Sequence, residues 1–218
     1  MTDFTWSYSS LKQYQNCPKQ YHHIRVLKDY QSKETEATIY GKDVHEALEL
    51  YIKEDKPLPK NYKRFQPYVN KLKSMEGTKY PEYQMALTYN KEPCDFESED
   101  RWVRGIVDLL IIDGDYAFIV DYKTGSNKYP DPKQLRLMSL MAFTHFPDIQ
   151  KVKAALLFVA HNSIVSEEYF RKDMDKSWGM FEQTLKRLEL SYDNDKWQAN
   201  PTPLCKWCPV ESCEFNRS

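Results

Sequence analysis

Glycine is scarce, at 6 residues in 218. Neither GxGxxG nor GxxxxGK[ST] occurs, which excludes the glycine-rich loops that cradle nucleotide phosphates. No stretch approaches the roughly 18 apolar residues of a membrane span, so no membrane partner is expected. The opening MTDFTWSYSS has neither the basic head nor the apolar core of a secretion signal, and a cytoplasmic location is expected. An excess of one charge is missing too. Lys+Arg number 31 and Asp+Glu 32, leaving a net charge of -1. A uniformly basic nucleic-acid coat is therefore excluded, and any contact with phosphates must come from a local patch or a bound metal. The cysteines number 5, and an odd count without a signal argues against a disulfide framework. Repeats and low-complexity tracts are absent.

What is present suits a folded domain. Hydrophobic residues make up 41% and charged residues 29%, enough for a sizeable core, and the length favours one domain. A helix is predicted to start at Ser7 or Ser9 and to run through Tyr14. Residues 39–53 form an amphipathic helix with Val44, Ala47, Leu48, Tyr51 and Ile52 as its apolar stripe. A weaker helix covers 61–75. Strands are expected near 82–89, 102–112 and 115–123. A helix follows from Asp131 as cap with Pro132 in the first turn. Strands near 152–160 and 164–170 and a helix near 176–192 complete a mixed α/β domain.

The centre is RWVRGIVDLLIIDGDYAFIVDYKTG. Asp113-Gly114 between two β-rich runs is a hairpin signal. Counted from that turn, Ile112 opposes Asp115 and Asp108 opposes Ile119. Asp108, Asp121 and Lys123 then share one sheet face, with the two acids diagonal neighbours roughly 7–8 Å apart. Two carboxylates and a lysine among Ile, Val, Leu and Phe are costly to bury without a purpose. They match phosphodiester hydrolysis, in which oxygen ligands hold Mg2+ or Mn2+ and an ammonium balances phosphate charge. His45 shares a helix face with Leu48 and Ile52 and points inward.

Three cysteines, Cys205, Cys208 and Cys213, crowd the last residues as C-x2-C-x4-C. Closely spaced thiols without a secretion signal hold metal more often than they pair, and a fourth ligand is needed. Cys17, followed by Pro18 as Cys208 is by Pro209, is the better candidate; Cys94 lies in a polar segment that reads as a loop. Four thiolates suit zinc or iron–sulfur. Trp207, Pro209 and Phe215 would shield such a site. A local basic segment, Lys19, His22, His23, Arg25 and Lys28, is interleaved with Tyr14 and Tyr21 and could track a DNA backbone and stack bases.

Asp108 followed by Asp121-Tyr122-Lys123 resembles the PD-(D/E)XK nuclease superfamily. Gly105-Ile106-Val107-Asp108 resembles the GxxD motif of its RecB-like branch, and Asp121-Tyr122-Lys123-Thr124-Gly125 its DYKTG motif. Gly41-Lys42-Asp43-Val44-His45 matches GxxxH, and Gln134 starts QxxxY, with Met138 where the family usually has Tyr. Ser7 through Tyr21, with its S-x-S and CPxxY, and the terminal cysteines are similar to the iron–sulfur subset of that branch; the branch as a whole includes CRISPR-associated RecB-like and phage exonucleases. The resemblance implies a restriction-endonuclease-like mixed sheet core flanked by helices, the two chain ends joined at a four-cysteine metal site. It implies a single nuclease domain over 1–218, with 36–192 as catalytic core and 1–30 plus 195–218 as the cysteine region.

By the same resemblance, His45, Asp108, Asp121 and the Tyr122 carbonyl would ligate catalytic Mg2+ or Mn2+. Lys123 would orient or deprotonate the attacking water, and Gln134 would position the lysine or the DNA backbone. Cys17, Cys205, Cys208 and Cys213 would hold a 4Fe-4S cluster, the grouping of one thiol and three suiting a cluster better than zinc. Lys19, Tyr21 and Arg25 are candidate DNA contacts. Glu82 stands where the family often places a carboxylate before its first strand. The implied activity is a DNA exonuclease acting on single strands or duplex ends in recombination, repair or replication, in a bacterium or a phage-infected cell. A separate helicase or recombination protein would be its partner. The rival reading is a non-catalytic DNA-binding or processing adaptor that keeps the fold.

Overall fold

The computed structural model describes residues 4–32, 34–128 and 130–216. The chain divides into two compact units, Thr35–Trp178 and a second made of Met1–Glu34 with Gly179–Ser218; we call them the sheet unit and the terminal unit.

The sheet unit begins with α3 (Glu36–Glu54), after α1 (Tyr8–Asn16) and α2 (Pro18–Tyr21) of the terminal unit. Thr35 caps α3 in a reciprocal capping box with Thr38, and Asp55 ends it in the left-handed conformation. The predicted 61–75 helix is two pieces, a 3-10 turn Lys60–Phe65 and α4 (Gln66–Lys73), divided ahead of Pro67. The strands are β1 (Thr78–Thr88), β2 (Pro93–Cys94), β3 (Arg101–Asp113), β4 (Tyr116–Lys123), β5 (Lys151–Phe158) and β6 (Ser163–Phe170). They form one sheet in the order β2-β1-β3-β4-β5-β6. Only β4 and β5 pair in parallel. A parallel pair needs a long crossover, and the segment between them holds α5 (Lys133–His145). Pro132 occupies the cap of α5 rather than its first turn, and Asp131 Oδ1 accepts the Lys133 N–H. Cys94 lies in the short strand β2, not in a loop.

The predicted apolar stripe is the one that packs. Val44, Leu48 and Ile52 of α3 join Val69 and Leu72 of α4 against Leu109, Ile111, Val120 and Tyr122 of the sheet.

The β3–β4 turn is one residue later than predicted. Asp113 pairs with Tyr116, and Gly114-Asp115 make the turn. Gly114 has φ +60°, which glycine adopts without steric cost at the first central position of a tight hairpin. The register therefore moves by two residues, and continuing it from Leu109↔Val120 sets Asp108 directly opposite Asp121 instead of diagonal to it.

The terminal unit is built from α1 and α2, a π-helical turn His22–Leu27, the greater part of α6 (Met174–Asn194) and a 3-10 turn Pro203–Trp207. Ser7 caps α1 in a capping box with Ser10. Cys17 is at once the last cap of α1 and the first cap of α2, with Pro18 following where its missing N–H costs nothing. Trp197 gathers aromatic rings, stacking on His22 and Tyr21 and meeting Tyr192 edge-on.

Candidate metal centre

The first part of the site comes from α3. Gly41 and His45 lie four residues apart, hence on one helix face. A Cβ at Gly41 would come within 3.3 Å of Thr124 Oγ1, so the glycine lets α3 close on the end of β4. His45 Nδ1 then lies 3.2 Å from Asp108 Oδ1.

The second part is an inversion of the sheet. At Gly105 the side-chain direction points to α5, where a Cβ would meet Met138 at 2.9 Å. At Leu109 and Ile111, residues of the same parity, it points into the core with α3 and α4. Strict alternation would keep all three on one face. The pleat thus changes sides around Asp108. Across the pairing, β1 does the same: Glu82 stands between the pairs Pro81↔Leu109 and Tyr83↔Val107 and has φ +47°. The expected common face for Asp108, Asp121 and Lys123 does not hold, because the expectation assumed an unbroken pleat. Asp108 is met by His45 of α3, whereas Asp121 and Lys123 are met by Gln134 of α5.

Two linked sets of groups result. Ligand atoms of His45, Glu82 and Asp108 all lie within 4.8 Å of one another. Asp121 Oδ1 accepts from Gln134 Nε2 at 2.6 Å, and Lys123 Nζ donates to Gln134 Oε1 at 3.0 Å. Lys123 also pairs with Asp121 Oδ2. The backbone N–H of Tyr122 donates to Asp108 Oδ2, which joins the two sets. A pocket of about 640 Å³ opens on the first set and is lined by Thr38, Lys42, His45, Glu82, Ile106 and Asp108 among others.

Burial governs the electrostatics first, and crowding of like charge adds to it. Burial, then the charges of Asp108 and Glu49, push the Glu82 carboxyl up to about 7. Burial and Asp108 raise Asp121 as well, against the pull of Lys123. Burial alone would lower His45, but its hydrogen bond to Asp108 and the surrounding acids raise it. Carboxylates forced toward protonation are short of positive charge, and the donors are oxygen and imidazole. That set fits a hard divalent cation such as Mg2+ or Mn2+.

Glu82 is the member that sequence reasoning underweighted, since it was expected ahead of the first strand and lies inside β1. The signal was the spacing of Tyr80 and Tyr83. Both rings contact Phe146, at 5.9 and 5.5 Å, and residues three apart share a strand face only if the pleat breaks between them.

In the terminal unit, Cys17, Cys205, Cys208 and Cys213 line one cavity of about 300 Å³. Backbone N–H groups point at the sulfurs: Gln20 and Asn200 at Cys17 Sγ, each at 3.5 Å, and Thr202 at Cys205 Sγ at 3.3 Å. The Gln20 amide reaches Cys208 Sγ at 3.5 Å. Trp207 is 67% exposed and does not shield the thiols as expected. Phe215 does line the cavity.

The expected DNA contacts Lys19, Tyr21 and Arg25 all meet groups of the chain itself. Tyr21 is 2% exposed, stacked on Trp197, so base stacking on it is overturned. Lys19 pairs with Glu214, and Arg25 Nε donates to Gln13 Oε1 at 2.9 Å.

Residues 5–213 match the family described as the PD-(D/E)XK nuclease superfamily. The fold is similar to the crystal structure of the protein named "Putative exonuclease" from Eubacterium rectale. Its TM-score is 0.57 at 14% identity, over 98% of this chain and 88% of that one. A second structure, SSO0001, has a TM-score of 0.49 at 14% identity with the same coverage. No curated protein matches the sequence. Among the described residues, no helix is long and apolar enough to cross a membrane.

Proposed function

The chain belongs to the PD-(D/E)XK nuclease superfamily, and we propose that it is a Mg2+- or Mn2+-dependent DNA exonuclease of the RecB-like, iron–sulfur branch. The observation that carries the reading is the junction of two sets, His45–Glu82–Asp108 and Asp121–Lys123–Gln134, through the Tyr122 amide. His45, Asp108, Asp121 and the Tyr122 carbonyl would hold the cation, and Glu82 joins them. Bound there, a divalent ion acidifies water and offsets phosphate charge.

The chain's own groups do the rest. Lys123 would orient the attacking water or, as the free amine, take its proton, and the ammonium so formed would face the charge that develops on the phosphate. The water oxygen bonds to phosphorus, and the bond to the leaving sugar oxygen breaks. Gln134 accepts from Lys123 and donates to Asp121, so one amide sets both the amine and the carboxylate. Water excluded from the buried Asp121 leaves these contacts unscreened.

The two units act as one nuclease domain in this reading, with the cysteines as a structural staple of the chain ends. Four thiols around one cavity, each of three receiving N–H donors, support a 4Fe-4S cluster. The grouping of one thiol and three suits a cluster better than zinc, whose ribbons bring two C-x2-C pairs. DNA ends are the substrate, with a separate helicase or recombination protein as partner in the cytoplasm.

Digestion of end-labelled linear and circular DNA tests the activity. Linear DNA should be degraded in Mg2+ or Mn2+ and spared in EDTA, circles should resist, and Lys123→Ala should be inactive. Cutting of circles would remove the exonuclease label, and full activity in Lys123→Ala would remove the site.

A further inference from the structure

We propose that the open face of β1 and β3 next to the metal centre is the track of a single DNA strand, with Arg104 as its phosphate clamp. This rests on the nuclease reading above and goes beyond it in naming a substrate-positioning residue. Arg104, Ile106 and Asp108 are alternate residues of β3. The intervening Gly105 faces α5, so Arg104 and Ile106 face the other way. Ile106 is 38% exposed and lines the metal pocket. Its cross-strand neighbour Gln84 is exposed; in the next pair along, Ala86↔Arg104, Ala86 is buried and the arginine side chain is the surface. Four residues of strand, about 14 Å, separate Arg104 from Asp108. A strand laid over this face from the cation would pass the guanidinium a few nucleotides from the scissile bond.

The chemistry of the far end suits a phosphodiester. The Arg104 side chain is 40% exposed, and its guanidinium lies 5.1 Å from the centroid of the Phe96 ring, which fixes its plane. Its carboxylate partner is Glu97, at 3.3 Å and 73% exposed. An exposed ion pair is weak, so a phosphate can take the place of Glu97 on the same fork. The exposed Ile106 between the cation and the guanidinium gives the sugars an apolar floor. The occupant is a polyanion that continues from the cleavage site, hence the substrate strand itself.

The assigned role predicts opposite signs for the two members of the pair. Binding of a fluorescent 15-nucleotide single-stranded DNA to the full chain is measured by anisotropy, with Ca2+ replacing Mg2+, across a salt series. Arg104→Gln should weaken binding at least fivefold and flatten the log–log salt slope by about 0.7, the value of one lost single-strand contact. Glu97→Gln should tighten binding, because the competing carboxylate is gone. Lys172→Gln, beyond the far edge strand β6, should change neither. If Arg104 is only structural, both variants of the pair weaken binding or neither does, and the proposal is overturned. Tighter binding of the matched RNA strand would overturn the assignment to DNA. Because binding is read without turnover, an inactive wild type that still shows the opposite signs would sink the nuclease reading and leave the track standing.

Discussion

The carboxylates of the sheet unit and the thiols of the terminal unit are held in opposite ways. His45, Glu82, Asp108 and Asp121 sit on a helix and three paired strands. Even the irregular residue, Glu82, is locked between ladder pairs on either side. Cys17 is a cap between two helices, and Cys205 lies in a five-residue 3-10 turn. N–H···S contacts of 3.3–3.5 Å reach the sulfurs of Cys17, Cys205 and Cys208. The oxygen site is thus framed by regular secondary structure, and burial together with like-charge crowding raises its carboxyl pKa values. No ladder spans the thiols, which are held by caps and turns instead. The first site stores electrostatic strain; the second is framed by caps and turns.

The sharpest break of this comparison is to disable one site and watch the other. Asp108→Ala or Lys123→Ala should cut DNA hydrolysis about 10³-fold or more, read from initial rates on end-labelled DNA. The visible absorbance of anaerobically purified protein should be unchanged. Absorbance lost along with activity would mean that the two sites are not independent. Conversely, Cys208→Ser should abolish that absorbance and the bound iron. Limited proteolysis should then cut faster within 199–213, and the melting temperature should fall by several degrees. A wild type that carries zinc and no iron would replace the cluster by a zinc staple.

A smaller effect tests the stored strain. The folded value of about 7 for Glu82 lies above its ordinary 4.5. Its protonated form favours the folded chain. That contribution is whole below about 4.5 and is lost as pH rises through 7. The stabilisation by Mn2+, measured as a shift in melting temperature, should therefore grow from pH 6 to pH 8. Glu82→Gln should raise the metal-free melting temperature at pH 8, leave it nearly unchanged at pH 4, and shrink the Mn2+ shift. A pH-independent shift would show that Glu82 stands outside the cation's reach.

The smallest expected effect concerns the packing that turns β3. Gly105→Ala places a methyl 2.9 Å from the flexible end of Met138. It should cost about 1–3 kcal/mol in urea denaturation, and Met138→Ala should recover part of it in the double variant. No loss in Gly105→Ala would mean that Met138 can swing aside freely, and that its place in the QxxxY-like helix is not set by the glycine.

Local patterns determined much of this from sequence alone. Helical periodicity marked α3 and its stripe of Val44, Leu48 and Ile52, and Ser7 or Ser9 marked the start of α1, with Ser7 the cap in the fold. Motif order singled out His45, Asp108, Asp121, Lys123 and Gln134. The helix that carries Gln134 was legible too, though not that its amide would bridge Lys123 and Asp121. Such features are written within a few residues of one another. Tertiary structure decided the rest: the hairpin register, the pleat inversion that brings Glu82 to Asp108, the burial of Tyr21 and the exposure of Trp207. Each depends on which distant segment lies alongside and which surface is left to water, and no window of neighbouring residues contains that information.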